Sequence, residues 1–104
     1  MPELTREQAI ALAKTGWWKD LPADAVVAFQ MFEERLCMDF ADFRAAVSES
    51  LGRPVQLFEF GSVGMPRLEE EFLGKRPRAT LEEVLSLLPP ERTLAWSAWR
   101  RRHQ

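Results

Sequence analysis

The chain has 104 residues and a formal net charge of −2, and 46% of its residues are hydrophobic. This length corresponds to one domain, 1–104, which can bury roughly two thirds of its unfolded surface without disulfides or metals. No apolar run approaches the roughly 18–20 residues that cross a membrane, so the composition excludes a membrane span and predicts a soluble protein.

The charge is unevenly distributed along the chain. Residues 1–74 hold seven Lys or Arg against thirteen Asp or Glu, a net charge of −6, whereas residues 75–104 hold seven against three, a net charge of +4. Two explanations stay open at this point. Either the basic tail folds back onto the acidic body, or each part meets a different partner.

The N-terminus and the cysteine content both favour an intracellular protein. MPELTREQ lacks the basic start and the apolar segment of a secretory signal, which predicts a cytoplasmic location. Cys37 is the lone cysteine and cannot form an internal disulfide. Because it lies near the end of an apolar helical pattern, we expect a buried structural thiol rather than a reactive one.

The first predicted helix covers about Thr5 to Lys14. Its first residue and Gln8 have the spacing of a capping box, and Gly16 ends the helix. Trp17 and Trp18 follow in a connecting segment. A tryptophan pair at such a place is either a lid over the core or a ligand platform, and burial requires only one hydrogen-bond partner for each indole.

The stretch from Ala25 to Val55 carries the strongest pattern of the chain. Its first part is predicted to be an amphipathic helix. One face carries Ala25, Phe29, Phe32 and Leu36, a second apolar strip carries Val27, Met31 and Met38, and Gln30, Glu33 and Glu34 lie opposite the first face. Apolar residues on two sides predict a central helix that packs against neighbours on both.

A second helix is predicted to follow after a tight turn. Asp39 is placed to cap it, and Gly52 is placed to end it in a left-handed conformation. Its buried face is predicted to contain Phe40, Phe43, Val47 and Leu51. We therefore expect Phe32 of the central helix and Phe40 of this helix to be core residues.

A short strand is predicted after this helix, from Val55 to Phe60. Arg53 precedes Pro54 and is pushed towards extended geometry, and the following residues alternate in polarity. A lone strand leaves backbone donors and acceptors unpaired. It could pair with an extended piece such as Ser62 to Met65, with the same segment of a second copy in a homodimer, or with nothing regular.

Three more helical segments complete the prediction. The first is an acidic segment from Arg67 to Leu73, which Leu68 and Phe72 could dock on the core. The second is a helix that begins with a capping box of Thr80 and Glu83 and has Leu81, Val84, Leu85 and Leu88 as its apolar residues. The third is a last helix from Glu91 to Arg102, which follows Pro89 and Pro90. The expected fold class is mostly α (α+β), with about five helices around a central amphipathic helix and one short strand or hairpin.

The residues that carry chemistry are sparse. His103 is the single histidine, and no Cys or His spacing resembles a zinc site, so we expect no metal. Gly61 and Gly64 match neither a dinucleotide-binding nor a P-loop pattern, so we expect no nucleotide cofactor. Asp39 and Asp42 are better explained by helix capping and the helix dipole than by acid–base chemistry. The sequence therefore favours a protein that is not an enzyme.

Two charged surfaces are candidate contact sites. The main one is the basic C-terminal helix in the segment 91–104, with Trp96, Trp99, Arg100, Arg101 and Arg102 as partner-binding residues. The alternative is that both tryptophans only dock this helix on the core. The secondary one is an acidic face of Glu69, Glu70 and Glu71, whose alternative is an ordinary solvated face. Arg44 is expected to pair internally with Glu33, Glu34 or Glu49, or else to contact a ligand.

A family resemblance covers about Trp17 to Phe72. The strings FQMFEERLCMDF, LGRPV and EF resemble the pattern FQ-FEERLCM-F, LGRPV and EF of a family of small uncharacterised proteins found in bacteriophage genomes. The resemblance implies a phage or prophage setting. This chain departs from the family pattern at Asp39, where a proline is expected, and at Arg44 and Phe58, where histidines are expected, which weakens the idea of a shared histidine-based site.

These observations predict a non-catalytic, phage-associated binding protein. It would act as an inhibitor or modulator by protein–protein contact with a host protein or ribonucleoprotein machine in the host cytoplasm, without membrane contact and with a possible homodimer. The alternative is a nucleic-acid-binding protein that uses the basic Trp/Arg segment.

Overall fold

Six α-helices and two 3₁₀ helices make up the computed structural model, which describes residues 4–103. The α-helices are α1 (Arg6–Thr15), α2 (Ala23–Gln30), α3 (Phe40–Leu51), α4 (Gly64–Leu73), α5 (Leu81–Ser86) and α6 (Pro90–Arg102), and the 3₁₀ helices are Trp17–Asp20 and Leu57–Phe60. Residues 1–3 and Gln104, which the predicted domain and C-terminal segment include, lie outside the described residues. The mostly α prediction is confirmed.

Helix α2 lies at the centre of the molecule, as predicted. Every residue from Ala25 to Gln30 is buried, because α2 packs along α3 on one side and against α5 on another. Helices α1 and α6 pack together, and α4 contacts both α3 and the 3₁₀ helix Leu57–Phe60. No helix in the described range is long and apolar enough to cross a membrane.

The central helix is shorter than predicted, because it ends at Gln30 instead of continuing towards Met38. The Gln30 side chain, expected on the polar face, is buried. Its Oε1 accepts the Cys37 backbone N–H at 2.9 Å, and its Nε2 donates to the Arg35 carbonyl at 3.0 Å. These bonds satisfy the backbone of a folded-back loop, so Leu36 is 47% exposed rather than on a buried helical face.

The predicted caps are confirmed. Thr5 and Gln8 form the capping box of α1, and the Asp39 carboxylate accepts the N–H groups of the first turn of α3. Gly16 and Gly52 end α1 and α3 with φ values of 67° and 71°, which a residue with a Cβ adopts only with strain. Thr80 caps α5 by accepting the N–H of Glu83, but the Glu83 side chain bonds the Thr80 hydroxyl instead of the Thr80 backbone, so the predicted capping box is only half formed.

The tryptophan pair closes over the core, which confirms the lid interpretation. Trp17 is fully buried, and its indole N–H donates to the Cys37 carbonyl at 2.8 Å. Trp18 is half-buried and donates to the Asp42 carboxylate at 2.9 Å. Cys37 is fully buried as predicted, but it lies in the loop after α2 rather than in a helix.

The predicted strand is wrong, since no residue between 4 and 103 is in a strand. Val55 is buried and lies in no helix or strand, and its backbone is satisfied by α3 side chains. Its N–H donates to Ser48 Oγ at 3.1 Å, and its carbonyl accepts from Arg44 Nε at 3.1 Å. The Glu59 carboxylate then accepts the Gln56 N–H at 2.7 Å and closes a 3₁₀ turn where the strand was expected. Local side-chain bonds thus replace a strand ladder.

The C-terminal helices agree with the prediction. Leu68 and Phe72 are buried and dock α4, which starts at Gly64, earlier than expected. Helix α6 is held against α1 and its following turn by Arg92. Its guanidinium contacts the Asp20 carboxylate at 2.6 Å and the Thr15 carbonyl at 2.8 Å.

A first prediction concerns the core. Phe29 is fully buried, whereas Phe40, expected in the core, is 37% exposed at its edge. We expect Phe29→Ala to reduce the free energy of unfolding by about 3–5 kcal/mol through lost burial and a cavity. Phe40→Ala should reduce it by only about 1–2 kcal/mol. Urea melts measure both, and equal losses would contradict this division between core and edge.

A second prediction concerns the loop after α2. Gln30→Met keeps the side-chain volume but removes both hydrogen bonds, which leaves buried backbone groups unpaired. We expect a loss of about 2–3 kcal/mol in the free energy of unfolding. Glu34→Met is the matched control, since Glu34 is exposed and should change stability by less than about 0.5 kcal/mol. An unchanged urea midpoint for Gln30→Met would contradict the role of the amide.

Candidate interaction surfaces

The predicted C-terminal residues divide between the core and the solvent. Trp96 is buried against the body of the molecule and Trp99 is half-buried. Arg100, Arg101 and Arg102 are all exposed. Docking on the core, the alternative interpretation of the two tryptophans, therefore describes Trp96 fully and Trp99 in part, whereas the three guanidinium groups lie at the surface.

Three aromatic rings stack along this end of α6. Trp96 and Trp99 have ring centroids 5.5 Å apart at an interplanar angle of 15°, and Trp99 and His103 lie 4.4 Å apart at 16°. His103 Nδ1 also lies 2.8 Å from the Trp99 carbonyl oxygen. Sequence reasoning missed His103 as part of this stack, although its position four residues after Trp99 on a helix is the signal that indicates it.

The acidic face on α4 is not one continuous feature. Glu71 accepts two hydrogen bonds from Arg53, with a shortest distance of 2.8 Å, and Arg53 also binds Glu59 at 3.0 Å. These hydrogen bonds hold the pKa values of Glu71 and Glu59 below their usual range. Glu69 and Glu70 lie outside this ion pair, and Glu70 is exposed.

Arg44 has a different partner from the one expected. It was predicted to pair with Glu33, Glu34 or Glu49, but its Nε donates to the backbone carbonyl of Val55. The guanidinium therefore joins α3 to the segment before the 3₁₀ helix Leu57–Phe60. The prediction considered only acidic side chains near Arg44 in the sequence. The actual acceptor is a backbone carbonyl that lies next to Arg44 because the chain turns at Gly52.

An apolar groove runs between α3 and the segment from Pro54 to Leu57, and sequence reasoning did not identify it. Its volume is about 550 Å³. It is lined by Phe40, Ala41, Arg44, Ala45, Ser48, Pro54, Val55, Gln56 and Leu57. Leu57 is 61% exposed at its edge, and the neighbouring Phe58 is 80% exposed. The sequence signal for it was the group of apolar residues Leu57, Phe58 and Phe60. Neighbouring residues of a strand point to opposite faces, so a strand with one buried face would have left some of these side chains exposed.

A second, smaller groove of about 200 Å³ lies on the other side of Phe40. It is lined by Gln30, Met31, Glu33, Glu34, Leu36, Phe40, Phe43, Phe60 and Met65. Three of these residues form a packed cluster, in which the Phe60 ring lies 5.2 Å from Phe40 and 5.8 Å from Phe43 between centroids. Phe40 lines both grooves, so they are neighbours, and we call the two grooves together the Phe40 surface.

The two ends of the Phe40 surface carry opposite charges. Glu33 and Glu34 line the smaller groove, and Arg44 lines the larger one. Partial burial raises the pKa of Glu33, and the nearby positive charge of Arg78 offsets this only in part. Among the described residues, neither Glu33 nor Glu34 forms an ion pair.

Cys37, the single cysteine, is buried in the loop after α2. Burial raises the pKa of the Cys37 thiol to about 12, so it is protonated at neutral pH. Residues 4–103 contain no group of three or more His, Cys, Asp and Glu side chains placed to hold a metal ion.

Comparison with known proteins returned no match for this chain among protein-family models, curated proteins or solved structures. The resemblance to a bacteriophage family therefore stays a prediction, which rests on the sequence strings alone.

A third prediction follows from the ion pair of Arg53. The pKa values of Glu59 and Glu71 are lower in the folded protein than in the unfolded chain, so their ionised carboxylates stabilise the fold. This contribution is fully present above the pKa of an unfolded Glu, about 4.3, and is lost as the pH falls through the lower pKa values of the folded protein. The difference in urea midpoint between the wild type and Arg53→Met should therefore shrink between pH 6 and pH 3.

Arg67→Met is the control for this experiment, because Arg67 is exposed and forms no ion pair with a described residue. The urea midpoint of Arg67→Met should differ little from that of the wild type at both pH values. A difference for Arg53→Met that is as large at pH 3 as at pH 6 would contradict the assignment.

Proposed function

We propose that this chain is a non-catalytic binding protein that acts by protein–protein contact on a host protein or ribonucleoprotein machine. The observation that carries the proposal is the Phe40 surface, in which Phe40 lines both apolar grooves and Leu57, which lines the larger one, is largely exposed. A contiguous apolar surface with a polar rim is typical of protein contact sites. The phage setting comes from the sequence resemblance, and the cytoplasmic site of action comes from the N-terminal segment and the single cysteine.

The ion pairs of Arg53 support the proposal. Arg53 binds both Glu59 and Glu71, which ties the 3₁₀ helix Leu57–Phe60 to α4. Leu57, which lines the larger groove, is therefore presented on a segment that Arg53 holds next to α4. Binding through a segment that is held in place loses less conformational entropy than binding through a flexible loop.

The test compares two leucines of nearly equal exposure. Leu57 is 61% exposed on the Phe40 surface, and Leu87 is 59% exposed after α5 and lines neither groove. Immobilised wild-type protein should capture a defined bacterial protein from nuclease-treated lysate. We expect Leu57→Ser to lose at least about tenfold in affinity, equivalent to about 1.4 kcal/mol, and Leu87→Ser to bind as the wild type does.

Circular dichroism and urea melts establish that both leucine variants are folded. Equal binding by folded Leu57→Ser and wild type would overturn the assignment of the contact to this surface. Capture that disappears after nuclease treatment would overturn protein–protein contact as the mode of action.

A second candidate function is nucleic-acid binding through α6, and a specific observation favours it. The aromatic stack reaches the surface at His103, beside the exposed side chains of Arg100, Arg101 and Arg102. A base could continue this stack while the guanidinium groups contact phosphates. This candidate uses the predicted C-terminal residues, with Trp96 as a buried support rather than a contact.

A fourth prediction tests this candidate by titration with single-stranded oligonucleotides at two salt concentrations. The Arg100/Arg101/Arg102→Ala variant should bind more weakly than the wild type. It should also lower the slope of log affinity against log salt by about two, since each phosphate contact contributes about 0.7. The Arg6/Arg35/Arg67→Ala variant removes the same charge from exposed positions elsewhere and should retain the slope. Equal slopes for both variants would reject α6 as the nucleic-acid site.

A further inference from the structure

The Phe40 surface is charged asymmetrically, and this restricts what can occupy it. At one end the Glu33 and Glu34 carboxylates line the small groove together with Phe40, Phe43 and Phe60. A partly buried carboxylate beside aromatic rings loses hydration, and a cation brought next to it would restore the favourable interaction. Arg78 is the described cation whose charge acts on Glu33, and its guanidinium lies 5.4 Å from the Phe32 ring centroid.

At the other end the Arg44 guanidinium lines the large groove. Its Nε is used by the Val55 carbonyl, whereas its two terminal nitrogens form no hydrogen bond with a described residue. The bond to Val55 orients the guanidinium, so the terminal nitrogens are held in place as donors. A carboxylate is the group that binds two such donors best.

The dimensions of the large groove set the size of the occupant. It follows α3 from Phe40 to Ser48, a distance of about 12 Å at 1.5 Å per residue. That is the length of about two turns of a helix, and the small groove extends the surface beyond Phe40. Its lining is largely apolar, and larger side chains have room there because Ala41 and Ala45 are small, exposed side chains and Val55 is buried.

We propose that the Phe40 surface binds an amphipathic peptide segment of a protein partner, about two helical turns long, with apolar side chains on both sides of Phe40. A Lys or Arg of this segment contacts Glu33 and Glu34, and an Asp or Glu contacts Arg44. This inference rests on the proposed function and adds the chemistry of the partner. The carboxylates at the small groove disfavour nucleic acid and anionic membranes, because both would bring negative charge to that end.

The experiment uses a displayed library of random 14-residue peptides, selected on the full chain with Leu57→Ser protein as soluble competitor. Enriched peptides are synthesised and titrated by fluorescence anisotropy. We expect them to carry an apolar pair with a basic residue on one side and an acidic residue on the other. Glu33→Lys/Glu34→Lys should weaken their binding by roughly tenfold or more, and Arg44→Glu should do the same.

Charge reversal in the peptide provides the decisive control. Replacing the basic residue of the peptide with Glu should restore binding to Glu33→Lys/Glu34→Lys but not to Arg44→Glu. Glu69→Lys/Glu70→Lys makes the same charge change on α4 and should leave peptide binding unchanged. Circular dichroism of each variant excludes unfolding as the cause of a loss.

Three results would overturn the inference. One is enrichment of peptides without the charge pattern, which would leave the proposed function intact but reject this partner chemistry. Another is a lack of any peptide whose binding depends on Leu57. The third is a dimer in sedimentation equilibrium that Leu57→Ser dissociates, which would make a second copy of this chain the occupant.

Discussion

The rest of the structure depends on the hydrogen bonds that the Gln30 carboxamide forms with the loop after α2. This carboxamide lies at the last residue of α2, accepts the Cys37 N–H and donates to the Arg35 carbonyl, so that two backbone groups of the following loop are paired. Trp17 completes this arrangement by donating to the Cys37 carbonyl. The loop then delivers Asp39 to the start of α3, where its carboxylate caps the helix and α3 can pack along α2.

A second set of side-chain bonds orders the chain after α3. Ser48 and Arg44 bind the two backbone groups of Val55, and Arg53 holds Glu59 and Glu71 together. In the loop after α2 and at Val55, side chains form the hydrogen bonds to backbone groups that a neighbouring strand would form in a sheet. The consequence is that irregular segments are ordered next to regular helices, with hydrogen bonds that do not depend on neighbouring strands.

These two sets of bonds also produce the Phe40 surface. Loop closure by Gln30 places Glu33, Glu34 and Leu36 on one side of Phe40, and the Val55 segment places Leu57 on the other. Apolar side chains that a continuous helix and a strand would have buried are instead left at the surface. The candidate contact site is therefore a direct product of the irregular parts of the fold, while α6 presents its arginines from a regular helix.

The sequence by itself determined the helix starts and ends at Thr5, Gly16, Asp39 and Gly52, and the central position of α2. These features depend on residues three or four positions apart, so capping and periodicity rules for neighbouring residues predict them. Only the tertiary structure decided that α2 stops at Gln30, that Val55 needs no partner strand and that Phe40 lies at an edge. The physical reason is that Gln30 and Arg44 resemble ordinary polar surface residues until distant backbone groups fold next to them, and only then do their hydrogen bonds decide the path of the chain.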